Sequence, residues 1–286
     1  SHLAQAGSPP MRLLPTLGVL IVQLRWRAVL PSEADPALPE WVLQGTPGPE
    51  WKELWQRALR QLSEADDVID VAPDKTQDQW TVSPKFRGDL LRFFVELHKV
   101  SGGRLDDELT SSLEGKKMPI PANLVTKSMT VLEIGAYIGY STRFLSKMFR
   151  RVISIDSMEQ YLQINAELNR DRSNILFIQA ESGSFDYGSL KPNGIEVVVI
   201  DAGHDFESVW TDLQQVLSSL RPRFIIFDDY SAEPGVKQAV HTAVELKLIE
   251  PLGFLGEHDY AVQDGRVISG PEGVICGVLD SVMPKK

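Results

Sequence analysis

Residues 131–142, VLEIGAYIGYST, have the composition of a cradle for a small molecule. A short apolar strand leads into Gly135 and Gly139, and a helical pattern follows over 141–149. Glycines let the backbone approach a ligand closely, and the first amides of the following helix are free donors. The spacing is E-x-G-x-x-x-G, not the G-x-G-x-x-G of a dinucleotide site, and Glu133 would repel a phosphate. The segment therefore predicts a pocket for a cationic cofactor.

A second strand, 151–156, ends in Asp156 about one strand–helix–strand unit after the glycine turn. A carboxylate at this distance typically accepts hydrogen bonds from the two hydroxyls of a ribose. Each such charged hydrogen bond contributes roughly 1.5–3 kcal/mol. A third strand, 174–179, leads into 180–182, where we expect contacts with adenine. A glycine turn alone can also be no more than a tight connection. The interpretation as a cofactor site depends on the order and spacing of all three pieces.

Three carboxylates follow two further apolar strands. Asp201 ends the β-branched run 196–201, and Asp228 and Asp229 follow the run 223–227. Such runs indicate strands buried on both faces, and ligands bind beyond the carboxyl ends of parallel strands. Like charges held this close raise a pKa or share a cation, and oxygen ligands favour Mg²⁺. The alternative is that these are ordinary aspartates capping the helices that follow.

Residues 131–260 resemble class I S-adenosylmethionine-dependent methyltransferases, and VLEIGAYIGYST is similar to the glycine motif of catechol and caffeoyl-CoA O-methyltransferases. The resemblance implies an α/β fold, a Rossmann-like, seven-stranded, mostly parallel sheet with helices on both faces. It also implies that Glu133, Gly135 and Tyr137 line the methionine side of the cofactor, that Ser141 reaches its carboxylate, and that Glu181 reaches its adenine. The full set of implied cofactor-binding residues is Glu133, Gly135, Ala136, Tyr137, Gly139, Ser141, Asp156, Ser157, Ala180, Glu181 and Asp201.

The same resemblance implies that Asp201, Asp228 and Asp229 bind Mg²⁺ or another divalent cation. Catechol-type enzymes place a lysine base three residues after the first metal aspartate, but this chain has His204 in the sequence DAGH. That pattern, with DDY farther along, is similar to the metal-dependent sugar O-methyltransferases of macrolide biosynthesis. A histidine can act as a base near neutral pH, so His204 is the expected catalytic residue. The alternative is a helix N-cap or a hydrogen-bond partner of Asp201.

The expected function is therefore S-adenosylmethionine-dependent and Mg²⁺-dependent O-methylation of a small molecule with neighbouring oxygens. One alternative is an inactive methyltransferase-like protein that serves in binding or assembly, although such a protein has no physical need for the carboxylate cluster. Another alternative is a different Rossmann-like, nucleotide-dependent enzyme, which the missing G-x-G-x-x-G motif disfavours.

Composition limits the partners of this chain. It has 286 residues and a net charge of −10, so no basic stripe is available for nucleic acid. The apolar stretch 13–24 is broken by Pro15 and Gly18 and falls short of the roughly 20 residues that span a bilayer, so we expect no membrane partner. Cys276 is the single cysteine, which favours a buried thiol in a reducing compartment. We expect a cytoplasmic location, with a removed organellar transit peptide as the alternative.

The sequence divides into an N-terminal extension, 1–125, and a cofactor-binding domain, 126–286. Five of the six tryptophans lie in the first 80 residues, one helix is predicted near 51–62, and another follows Ser83. Segment 101–117 reads as a loop. In methyltransferases of the class that this chain resembles, such an extension caps the acceptor pocket or forms a homodimer, and we expect one of these roles here. Near the other end, a helix is predicted over 235–246 and strands over 249–255 and 274–279. His258 falls in the insertion between those strands, which we interpret as a solvated loop more than an acceptor contact.

Overall fold

The computed structural model describes residues 68–70, 82–105, 117–261 and 267–279. The tryptophan-rich segment, the apolar stretch 13–24 and much of the predicted loop 101–117 lie outside the described residues. In chain order, the elements are β1 Val68–Asp70, α1 Pro84–Val100, β2 Lys117–Pro119, β3 Thr130–Ile134, α2 Tyr140–Met148, β4 Arg151–Asp156, α3 Glu159–Leu168, β5 Ile175–Gln179, β6 Ile195–Ile200, α4 Phe206–Ser219, β7 Phe224–Phe227, α5 Pro234–Glu245, β8 Ile249–Leu255, β9 His258–Ala261, β10 Val267–Gly270 and β11 Gly273–Val278. Short 3₁₀ turns lie at Val125–Ser128, Ser182–Ser184 and Tyr187–Asn193.

Seven of the described strands form one sheet in the order β5-β4-β3-β6-β7-β11-β8. Strands β3 to β7 pair in parallel, and β11 is antiparallel to both β7 and β8. The predicted seven-stranded, mostly parallel, Rossmann-like sheet is confirmed. The last two predicted strands do pair antiparallel, with β11 lying between β7 and β8.

The register of this sheet fixes where the chemistry lies. Ile134 of β3 pairs with Ile200 of β6, and Ile200 pairs with Phe227 of β7. These strands are mostly apolar and are buried on both faces, as expected for the centre of a parallel sheet. The polar residues that follow them, Gly135, Asp201 and Asp228, therefore leave the sheet at the same edge.

Helices cover both faces of the sheet. One apolar cluster joins α1 and α2 to one face, and a second joins α4 and α5 to the other. On the first face, Phe94 of α1 is fully buried, and its ring meets those of Phe149 and Phe224 edge to face at 5.4 and 6.0 Å. Helix α1 thus shares its core with the sheet, although the predicted division of the chain lies at residue 125.

The start of α1 follows its sequence. Ser83 is the N-cap, and its hydroxyl accepts a hydrogen bond from the Phe86 amide at 3.0 Å. Pro84 follows at the first helical position, where a missing amide hydrogen costs nothing.

On the far side of the sheet, Cys276 is buried in β11, and burial raises the pKa of its thiol to about 12. No helix in the described segments has the length and apolar character needed to cross a bilayer.

The insertion between β8 and β11 contains more than a loop. Strands β9 and β10 pair antiparallel, with His258 opposite Gly270. The interpretation of this region as a solvated loop is therefore wrong for its described part. The hairpin leaves the end of β8 and returns to the start of β11, which places it at the edge of the sheet where the carboxylates emerge.

Candidate active site

A cavity of about 1080 Å³ lies at the carboxyl ends of the central strands. It is lined by most of the residues that the sequence singled out, namely Gly135, Tyr137, Asp156, Ser157, Ala180, Glu181, Asp201, His204, Asp228 and Asp229. Four others lie in the glycine turn or in the strand and helix that flank it, but not in the cavity wall: Glu133, Ala136, Gly139 and Ser141. The parallel topology brings these distant residues together.

The two glycines of the turn are required by the backbone. Gly135 has a φ of +86° and Gly139 a φ of +93°, in the left-handed region that favours glycine. A Cβ on Gly135 would collide with the backbone carbonyl of Asp201, and one on Gly139 would collide with the side-chain oxygen of Asn165. The turn therefore packs directly against the residues that follow β6 and against helix α3.

Asp156 is held by the turn that it faces. Its Oδ2 accepts hydrogen bonds from the amides of Ala136 at 3.1 Å and Tyr137 at 2.8 Å, and its Oδ1 accepts one from Met158 at 2.8 Å. Burial raises the pKa of Asp156, and the three amides oppose that shift. Its carboxylate lies in the cavity wall with a fixed orientation, as a ribose-binding carboxylate needs.

Glu133 lies beneath the turn and is completely buried. Its Oε2 accepts hydrogen bonds from the hydroxyls of Thr142 at 2.5 Å and Ser154 at 3.0 Å. Burial raises the pKa of Glu133 to about 7, against the effect of these hydroxyls and that of Ser141. Glu133 thus supports the turn from behind.

The other end of the cavity is lined by 180–183, where the sequence predicts adenine contacts. Sequence analysis missed Asp212 of α4, which also lines this end. Asp212 is 1% exposed, and its Oδ2 accepts a hydrogen bond from the Ser182 hydroxyl at 3.0 Å. Burial raises the pKa of Asp212 to about 6. A single aspartate inside a helix carries no motif, so only the packing of α4 against this segment reveals it.

A cluster of acidic and imidazole groups lies at the ends of β6 and β7. One ligand atom from each of Asp201, His204 and Asp229 lies within 4.8 Å of the others. His204 Nε2 is 3.6 Å from Asp201 Oδ1 and 3.4 Å from Asp229 Oδ2. The first distance is too long for a hydrogen bond. The spacing suits groups that share a cation.

The charges in this cluster perturb one another. Burial raises the pKa of Asp201 to about 6, with the nearby carboxylate of Asp229 adding to the shift. Asp201, foremost, and Asp229 raise the pKa of His204, while burial opposes them. A cation between the carboxylates would relieve their repulsion.

The predicted metal ligands are Asp201, Asp228 and Asp229. The close group consists of Asp201, Asp229 and His204, and Asp228 lies beside it. Asp228 is 7% exposed, and its Oδ1 has no hydrogen-bond partner among the described residues. Burial raises its pKa well above the usual range, and Asp201, Glu272 and Asp229 add to the shift. The left-handed φ of +55° at Asp229 turns the chain between the two neighbouring aspartates.

Three residues of the cavity wall, Ser83, His258 and Glu272, were not predicted as site residues. His258 Nε2 is 3.6 Å from Asp229 Oδ1. Glu272 is 3% exposed, and its Oε1 accepts a hydrogen bond from the Ser83 amide at 2.6 Å. These residues come from the start of α1, the β9–β10 hairpin and the start of β11, so no local sequence pattern joins them.

Comparison with protein families gives one match, a methyltransferase domain, over residues 132–230. That range spans the sheet from β3 to the residue after Asp229 and includes the glycine turn. Comparison with curated proteins gives no match.

Solved structures with a similar fold include several methyltransferases. An O-methyltransferase from Bacillus cereus in complex with SAH is 15% identical and has a TM-score of 0.45, with 84% of this chain and 96% of that chain covered. An rRNA methylase from Streptococcus thermophilus is 19% identical and has a TM-score of 0.39, with 54% and 88% covered. Fibrillarin from Aeropyrum pernix with bound S-adenosyl-L-methionine is 12% identical and has a TM-score of 0.38, with 54% and 69% covered. Similarity at this level carries no conclusion about reaction or substrate.

Proposed function

We propose that the chain is an S-adenosylmethionine-dependent methyltransferase, in keeping with the methyltransferase-domain match over residues 132–230, and that it methylates an oxygen of a small molecule with the help of a divalent cation. The acceptor would carry two neighbouring oxygens, as a vicinal diol does. Mg²⁺ is the proposed cation, because carboxylate oxygens dominate the cluster. A cytoplasmic location and a homodimer remain predictions.

One observation carries this proposal: a single cavity joins the Asp156 wall to the cluster of Asp201, His204 and Asp229. Asp156 and the segment 180–183 provide contacts for a nucleoside, and the cluster lies at the ends of β6 and β7. A cofactor bound along the first wall would direct its sulfonium towards the acidic cluster. The negative potential of this region favours a cationic cofactor over a phosphate.

The residues present fit a divalent cation. Asp228 Oδ1 is buried and has no hydrogen-bond partner in the part of the chain that the structure describes, and burying an unpartnered charge is costly. Asp201 and Asp229, with Asp228 beside them, would hold the cation. When bound, it would chelate the two acceptor oxygens and lower the pKa of the one to be methylated.

His204 is the proposed proton acceptor. Its Nε2 faces the two carboxylates, and the residue lines the cavity where the acceptor oxygen would lie. Asp201 increases the basicity of the ring. When bound, S-adenosylmethionine would supply the methyl group to the acceptor oxygen, and the electron pair of the broken carbon–sulfur bond would remain on sulfur as a neutral thioether. Most of the acceleration would come from positioning, for which about 7–11 kcal/mol is available.

The acidic wall favours a small acceptor over nucleic acid. The cavity presents Glu181, Glu207 and Glu257 beyond the cluster, and the whole chain carries a net charge of −10. A phosphate backbone would be repelled by such a surface. RNA is the alternative acceptor, and the experiment includes it as the substrate that should not be methylated.

Calorimetric titration with S-adenosylhomocysteine, with Mg²⁺ and again with EDTA, tests the cofactor site. Methyl transfer from labelled S-adenosylmethionine is then measured with a panel of catechols and sugar diols and with total RNA. We expect binding in both buffers and transfer to a diol only with the cation. Binding without transfer to any acceptor would instead favour an inactive binding protein, and transfer to RNA would contradict the small-molecule proposal.

His204→Gln separates the roles of His204: loss of turnover with retained cation binding supports a base, whereas loss of cation binding would make it a ligand.

A further inference from the structure

The carboxylate of Asp229 lies between two imidazole rings. His204 Nε2 is 3.4 Å from its Oδ2, and His258 Nε2 is 3.6 Å from its Oδ1. The His258 side chain is the more buried of the two rings, with 12% exposed against 33% for His204. Oδ2 therefore faces the ring that belongs to the cation cluster, and Oδ1 faces the β9–β10 hairpin.

The hairpin holds His258 in place. His258 pairs with Gly270 across the two strands, and Gly270 has a φ of +124°. A Cβ on Gly270 would lie 2.8 Å from the hydroxyl oxygen of Ser231, so the hairpin packs closely against the chain that follows Asp229. Only glycine permits this approach.

A second carboxylate, that of Glu272, also faces His258. Burial raises the pKa of Glu272, and the charge of His258 is among the influences that lower it. The Ser83 amide donates to Glu272 Oε1 at 2.6 Å and so fixes this carboxylate. His258 is thereby constrained both by its strand and by two acidic neighbours.

Resting on the proposed cation site, we propose that His258 is a positioning residue for Asp229: as an ion-pair partner 3.6 Å from Oδ1, it restrains that oxygen so that Oδ2 is presented towards Asp201 and the cation. A ligating carboxylate needs such an outer partner because rotation about its side-chain bonds would otherwise carry the oxygen away from the cation. The cation site is therefore completed by the β9–β10 hairpin, which follows Asp229 in the chain only after helix α5 and strand β8.

Direct coordination by His258 agrees less well with the geometry. Among the described residues, the atoms close enough to share one cation come from Asp201, His204 and Asp229. His258 lies on the opposite oxygen of Asp229 from that group. It acts through Asp229.

Titration of the full-length protein with Mn²⁺, in the presence of S-adenosylhomocysteine, tests the proposal. The free Mn²⁺ concentration is read by electron paramagnetic resonance and the affinity by calorimetry. Removing an outer partner of a metal ligand typically weakens metal binding about 10–100-fold, and we expect a loss of this size for His258→Ala. His258→Gln should restore part of it, because its amide N–H can occupy a position near Nε2.

His241→Ala is the matched control. His241 is an exposed histidine on α5 that contacts the Tyr230 hydroxyl at 2.8 Å and does not line the cavity. Its Mn²⁺ affinity should equal that of the wild type. In EDTA, the affinity for S-adenosylhomocysteine should be the same in all four proteins.

The outcomes separate this inference from the proposed function. Wild-type Mn²⁺ affinity in His258→Ala would overturn the inference and leave the proposed function standing. No binding of Mn²⁺ or Mg²⁺ by the wild type would overturn both. Equal losses in His258→Ala and His258→Gln would overturn positioning in favour of direct coordination. A parallel loss of cofactor affinity in EDTA would reduce His258 to a residue needed only for folding.

Discussion

The amide of Tyr137 donates a hydrogen bond of 2.8 Å to Asp156 Oδ2, which ties the glycine turn after β3 to the end of β4. Tyr137 has a φ of +44°, a conformation that few residues other than glycine adopt. The carboxylate that we expect to bind the ribose is thus also the group that shapes the methionine side of the cavity.

Replacement of Asp156 by asparagine should weaken cofactor binding. The variant loses a charged acceptor for two turn amides and for the ribose, at about 1.5–3 kcal/mol for a charged hydrogen bond. The affinity for S-adenosylhomocysteine should fall roughly 10–100-fold by calorimetry. Asp186→Asn is the control, because Asp186 caps a surface 3₁₀ turn outside the cavity. Equal affinities of Asp156→Asn and the wild type would show that Asp156 does not bind the cofactor.

Gly135→Ala should destabilise the fold more than Gly102→Ala. Both glycines have a left-handed φ, +86° and +83°, so both substitutions carry about 1–2 kcal/mol of backbone strain. Among the described residues, the Cβ at residue 135 would meet the carbonyl of Asp201, whereas none lies within 4 Å of a Cβ at residue 102. Overpacking should add about 1–3 kcal/mol to the loss for Gly135→Ala, measured by urea denaturation. Similar losses in the two variants would mean that the turn can move away from β6.

Glu133 should make the stability of the protein depend on pH. Its pKa is raised from 4.5 to about 7 in the folded state, so the folded chain retains a proton that the unfolded chain releases between these values. The free energy of unfolding of the wild type should therefore fall as the pH rises through this window, by up to about 3 kcal/mol relative to Glu133→Gln. Below the window and above it, the difference between the two proteins should be constant. Urea denaturation from pH 4 to 8 without cofactor measures it, and parallel curves would contradict the expectation.

Asp229→Asn should abolish cation-stimulated turnover and leave cofactor binding intact. Asparagine tolerates the left-handed φ of +55° at this position, so the backbone is preserved while the charge is lost. Steady-state rates with and without Mg²⁺, beside calorimetry with S-adenosylhomocysteine in EDTA, provide the measurement. Turnover like that of the wild type would show that the cluster does not bind the cation.

Phe94→Ala should cost about 3–5 kcal/mol of stability, because the ring is fully buried between α1 and the sheet. Phe254→Ala is the matched control: that ring is 58% exposed, and its contact with Tyr230 contributes about 1 kcal/mol. Thermal and urea denaturation compare the two. A small effect of Phe94→Ala would indicate that α1 is separable from the sheet, in keeping with the predicted division at residue 125.

The sequence predicts the fold and the ends of its strands because the signal there is local. The runs before Asp156, Asp201 and Asp228 are apolar and β-branched, and each ends in a carboxylate. Parallel pairing then forces these ends to the same edge of the sheet. A glycine turn with its unusual spacing identifies the cofactor side in the same local way.

The rest of the site depends on contacts between distant segments. Ser83 and Glu272 are 189 positions apart, yet a single hydrogen bond joins them. His258 meets Asp229 only because an insertion folds back as a hairpin. Backbone turns decide which of the two adjacent aspartates joins the close group. They also place Glu133 beneath the glycine turn. The periodicity of the sequence encodes neither.

The antiparallel strand β11 has a consequence for the order of assembly. It lies between β7 and β8, although it is the last of the described strands in the chain. A ribosome delivers the chain from the N-terminus. One edge of β7, the strand that precedes the two aspartates, therefore stays unpaired until residues 273–278 emerge. The cofactor half, β3 to β5, has all its partners much earlier. We therefore expect the nascent chain to acquire cofactor affinity before cation affinity, and the open edge of β7 to be the place where a stalled intermediate aggregates.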